Sequence, residues 1–150
     1  MTFRAAVKAT GLERAYCDGL QALSKSDRAR LAVHQNVKLT GSIDLDAALH
    51  ETHPNDPRWD YAIARRPPNG EFIHWVEVHP ATDAEIKTVL AKFEWLQGWL
   101  RTQGKALMNF ESEFIWISSG KTAFSPVSHQ RRKMSEHGLR HVGSTLRLTP

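Results

Sequence analysis

The chain has 150 residues, a mass of 17.0 kDa, an apolar content of 41% and a net charge of +4. That is enough for one domain with its own core, and no run approaches the ~18 consecutive apolar residues that cross a bilayer. Its single cysteine, Cys17, excludes an intramolecular disulfide and a cysteine-rich zinc site. The opening MTFRAAVKAT has no apolar stretch of the secretory kind, so the expectation is a cytoplasmic protein with no membrane attachment. Charge is unevenly spread: residues 1–40 sum to +4, residues 41–100 to −5 and residues 101–150 to +5. An acidic middle between basic ends suits carboxylates that hold cations beside flanks that meet a polyanion.

Leu12, Tyr16, Leu20 and Leu23 recur at spacings of three and four and predict a first helix over residues 11–23, ended by Ser24-Lys25-Ser26-Asp27. Any apolar face that this helix leaves exposed offers a homodimer contact. Over residues 31–45 the period changes to two, with Val37, Leu39, Ile43 and Leu45 on one parity, which predicts a strand with one buried face. The turn formers of His53-Pro54-Asn55-Asp56-Pro57 lead into a second strand over residues 58–65, and Pro67-Pro68-Asn69-Gly70 turns the chain into a third, Phe72–His79. Three strands joined by short turns imply an antiparallel meander.

Pro80 stops the third strand, and Thr82-Asp83-Ala84-Glu85 has the form of a capping box. The helix it opens carries the stripe Ile86, Val89, Leu90, Phe93, Leu96 and Leu100. A short strand over residues 114–117 follows. Ser125-Pro126 and Gly138 bracket a third helix, and residues 142–148 make a last edge strand. The expected fold is a single α/β domain over residues 1–150, of order α-β-β-β-α-β-α-β, with a mixed, mainly antiparallel central sheet and flanking helices.

Glu77 and His79 share one face of the third strand, where a core normally takes apolar groups. A buried carboxylate costs several kcal/mol unless a partner, a proton or a metal compensates it. Asp60, on the neighbouring strand, supplies a second carboxylate. Two such groups suit a hard divalent cation, Mg²⁺ or Mn²⁺, which prefers oxygen ligands and keeps positions for water and phosphate. Asp44, Asp46 and Glu13 are further acidic side chains within reach of the same strand ends. Asp60 paired with Arg58 or Arg65, and Glu77 paired with His79, would instead make a purely structural cluster. Lys121 and the run Arg131-Arg132-Lys133 in the third helix are candidate contacts for a nucleic-acid backbone. Ordinary exposed basic faces have the same composition.

The segments RWDYAIAR and IHWVEVHPA, set in a helix, three-strand meander, helix and strand, resemble the PD-(D/E)xK superfamily of restriction-endonuclease-like nucleases. That resemblance implies metal-dependent phosphodiester hydrolysis on DNA or RNA, with Asp60 and Glu77 as metal ligands. The family has lysine where this chain has His79. Within the resemblance His79 serves as ligand or base, and Lys87, one turn into the following helix, as a relocated source of positive charge. The alternative is a catalytically inactive nuclease-like module that binds nucleic acid or a protein partner within a larger bacterial system.

Overall fold

Thr2 opens the first helix: its hydroxyl accepts the amide of Ala5, and Phe3, Ala6 and Val7 then bury one face. The computed structural model describes residues 1–120, 123 and 129–150, and the side chains of all of these except 129–131. Its elements are α1 (Phe3–Ala9), α2 (Lys25–Arg28), β1 (Leu31–Val33), β2 (Leu39–Asp44), α3 (Leu45–Ala48), β3 (Tyr61–Arg65), β4 (Phe72–His79), α4 (Asp83–Arg101), β5 (Glu111–Ser118), α5 (His129–Glu136), β6 (Leu139–His141) and β7 (Leu146–Leu148).

Five strands form one mixed sheet in the order β2-β3-β4-β5-β6. The pairs β2–β3 and β3–β4 are antiparallel and the pairs β4–β5 and β5–β6 parallel, so β3 alone runs against its neighbours. The parallel β4–β5 pair needs a long crossover, and the 19-residue α4 supplies it. Alternation assigns each strand residue to a face. Ala62, Ala64, Ile73, Trp75 and Trp116 pack under α1 and α4, together with Ile86, Val89, Phe93 and Leu96. Tyr61, Ile63, Val76, Ile115 and Ile117 pack on the other face under Leu23, Leu146 and Leu148. Both faces of the central strands are covered, which is why β4 reads as a nearly continuous apolar run.

The meander, the long helix and β5 form as expected, and three expectations change. Residues 11–23 are not a helix, because Gly11 and Gly19 take left-handed backbone angles of +84° and +52° and only Glu13–Ala15 makes a 3-10 turn. The segment instead wraps the edge of the sheet, where Cys17 bridges to Ser42. Its apolar residues divide between the two cores, Leu12 and Tyr16 on one face and Leu20 and Leu23 on the other, so a helix-like spacing serves an extended wrap. The homodimer face expected there therefore has no helix to carry it, and the apolar side of α1 is buried.

Residues 31–45 split into β1 and β2, which lie in different sheets. Of residues 142–148 only Leu146–Leu148 forms a strand, β7. β6 joins the main sheet just before this stretch, and β7 pairs in parallel with β1 as a two-stranded ribbon. The expected helix start at Ser125-Pro126 lies outside the described residues, while the helix does stop at Gly138, whose φ is +83°. No helix among the described residues is long and apolar enough to cross a membrane.

Candidate functional site

Tyr61 on β3 pairs with Val76 on β4, so Asp60, one residue before β3, stands opposite Glu77. The two residues hold each other. The amide of Asp60 donates to Glu77 Oε1 at 3.2 Å, and the amide of Val78 donates to Asp60 Oδ2 at 2.9 Å. The carbonyl of Asp60 accepts the amide of Leu45 at 2.8 Å, which ties the same point to the start of α3. Each carboxylate thus has one oxygen fixed by backbone and one turned outward.

Both outward oxygens meet one ammonium. Lys92, in the third turn of α4, contacts Glu77 Oε2 and lies 3.6 Å from Asp60 Oδ1. Glu77 is fully buried. Burial pushes its pKa well above the ordinary carboxylate range, and the nearby Asp60 charge adds to this against the opposing pull of Lys92. Burial also raises Asp60, opposed by Lys92 and the Val78 amide. Burial alone pulls Lys92 down, but the carboxylates of Glu77 and Asp60 outweigh it and the net shift is upward.

His79 borders this group on the same face of β4, as the alternation predicts. Its Nδ1 lies 3.6 Å from Glu77 Oε2 and its Nε2 lies 2.7 Å from Glu85 Oε2. The expected capping box is therefore not made: the Thr82 side chain caps nothing, and Glu85 is drawn to the imidazole instead. The His79 carbonyl accepts the Trp116 indole N–H at 2.9 Å and the Ser119 amide at 3.2 Å, which pins the end of β4.

No protein family, curated protein or solved structure matches the chain.

The other candidates fall elsewhere. Lys87 is exposed and lines a cleft of about 730 Å³ between α4 and α5 with Arg101, Lys133 and His137. Five residues along a helix turn the side chain by about 140°, so Lys87 and Lys92 cannot serve the same place. Asp44 caps α3 through the Ala47 amide, Asp46 pairs with Arg58 at 3.0 Å, and Glu13 makes an exposed pair with Lys8. Arg58 is thus engaged by Asp46, and the cation that meets Asp60 is Lys92. Arg132 and Lys133 are exposed on α5; Lys121 and the Arg131 side chain lie outside what is described.

Lys92 and Glu85 are the members that sequence reasoning missed. Lys92 falls between Val89 and Leu96 on the buried side of α4, and a lysine inside an apolar stripe signals a buried partner. Glu85 was absorbed by the capping motif.

Among the described residues no three His, Cys, Asp or Glu side chains are grouped so as to hold a metal by themselves. The two carboxylates that would hold an ion are Asp60 and Glu77, which share the Lys92 ammonium. A hard ion of the Mg²⁺ type, were it held by this pair, would need water or phosphate oxygens to complete its coordination, because the described residues offer no all-protein cage there.

Proposed function

We propose that this chain is a divalent-metal-dependent phosphodiester hydrolase acting on DNA or RNA, on a restriction-endonuclease-like frame. One observation carries the reading: the outward oxygens of Asp60, just before β3, and of Glu77, on the adjacent β4, converge on the same cation, Lys92 Nζ. The element order supports it, since the acidic pair sits at the second and third strands of a meander followed by a helix and a parallel strand. The lysine that the resemblance expects two residues after the glutamate is then supplied by α4, through Lys92.

In this reading Asp60 and Glu77 hold Mg²⁺ or Mn²⁺, which when bound polarises the phosphodiester and lowers the pKa of water. Lys92 offers a positive charge to a phosphate oxygen as well as to the carboxylates. His79 presents Nδ1 to the same space, because Nε2 is engaged by Glu85. Nδ1 faces Glu77 Oε2 at 3.6 Å, so it is the imidazole nitrogen directed at the carboxylate pair. The exposed Arg132 and Lys133, with Lys87 and Arg101 across the cleft, supply backbone contacts of the sequence-independent kind.

The test is cleavage of labelled single- and double-stranded DNA and RNA in Mg²⁺ and in Mn²⁺. The wild type produces fragments, and Glu77→Gln loses at least about two orders of magnitude in rate, the scale of an essential electrostatic group. A wild type that cleaves none of the four substrates contradicts the reading. A second reading, a non-catalytic module that binds nucleic acid, is favoured by the backbone and lysine bonds that already satisfy both carboxylates. Binding that weakens steeply with salt while every substrate stays intact identifies that case.

A further inference from the structure

We infer that Lys92 is an internal counter-cation that occupies the carboxylate pair until a phosphodiester draws its ammonium away, so that divalent-cation binding and polyanion binding at this site are positively coupled. The inference rests on the reading of Asp60 and Glu77 as cation ligands. Backbone amides fix one oxygen of each carboxylate, so an arriving ion must take the two outward oxygens that Lys92 already contacts. With the ammonium in place, a bound divalent cation would bring the site to three positive charges against two negative ones. A phosphodiester supplies the missing negative charge and a new partner for Lys92, and the five groups together are then neutral.

Lysine suits this exchange because its ammonium is a point charge on a flexible stem, free to change partners without moving α4. The neighbouring carboxylates do not take the phosphodiester's place as the new partner of Lys92. Glu85 is committed to His79 Nε2, and Asp46 to Arg58. Coupling of this kind is reciprocal, so each ligand raises the affinity of the other by the same factor.

Calorimetric titration of MnCl₂ into the full chain tests it, with and without a short phosphorothioate oligonucleotide, and with a neutral peptide nucleic acid of the same sequence as control. The wild type binds Mn²⁺ about tenfold or more tighter with the oligonucleotide, a factor within the usual range for coupled sites, and no tighter with the neutral analogue. Lys92→Gln keeps an N–H donor and loses the charge. It binds Mn²⁺ alone about tenfold tighter than the wild type and gives up most of the dependence on the oligonucleotide. Lys92→Arg moves the other way, because a forked guanidinium grips both carboxylates, and it keeps the test decisive if the glutamine variant does not fold. Unchanged Mn²⁺ affinity in both variants, with binding still abolished by Glu77→Gln, overturns the coupling and leaves the cation site standing. A wild type that binds no Mn²⁺ in any condition overturns both.

Discussion

Glu113 and Glu77 stand on adjacent strands and their surroundings act on them in opposite directions. The His74 imidazole, 2.7 Å from Glu113 Oε2, and the Arg140 guanidinium, 2.6 Å from Oε1, hold the Glu113 carboxyl down at about 2 against the effect of burial. Glu77 is driven up by burial and by Asp60. A depressed carboxyl stabilises the fold above its unfolded pKa and loses that stabilisation as pH falls toward its folded value. Glu113→Gln is expected to cost about 1–3 kcal/mol at pH 7, and the difference from wild type shrinks as the pH is lowered from about 5 toward 2. Urea unfolding across that range measures it, and a difference that stays constant with pH contradicts the assignment. At this scale Asp60 and Glu77 were legible because a carboxylate on a buried strand calls for compensation. Lys92 was passed over, although it stands on the apolar-stripe side of the helix, because the nearer Lys87 satisfied the same expectation.

At the scale of elements, the strands of the meander and the long helix were legible from periods of 2 and 3.6, and both cores follow from them. The N-terminal region was not, because spacings of three and four do not distinguish a helix from a wrap that feeds two cores in turn. That wrap is held at Tyr16. Its hydroxyl donates to the Thr40 carbonyl at 2.5 Å, and the Arg4 guanidinium covers its ring at 4.9 Å. The ring lies so close to Gly41 that an added Cβ would sit 2.5 Å from Tyr16 Cε2 and 2.7 Å from its hydroxyl oxygen. Tyr16 is held from both sides and cannot give way cheaply. Gly41→Ala is therefore expected to destabilise the protein by about 1–3 kcal/mol, the range for overpacking a tight contact. Chemical denaturation that finds the variant as stable as the wild type rejects the wrap as drawn.

For the molecule as a whole, the sheet has α1 and α4 on one face and the β1–β7 ribbon with the segment around Leu23 on the other. The ribbon was invisible in the sequence because it pairs residues 31–33 with residues 146–148, a contact between segments far apart in the chain that no local period records. Covering both faces makes the end of β4 a place where a charge is buried yet reachable. Glu77 is closed off, while the side chains of Asp60 and His79 keep exposures of 20% and 21%. That combination is the basis for reading the carboxylate pair as a cation site rather than as a structural ion pair. The most direct measurement is anomalous diffraction at the manganese edge from crystals grown with Mn²⁺ and a phosphorothioate oligonucleotide. The account predicts one peak within coordination distance of a carboxylate oxygen of both Asp60 and Glu77, with the Lys92 ammonium moved onto a phosphate oxygen. A map with no peak at those carboxylates and Lys92 still between them would contradict it.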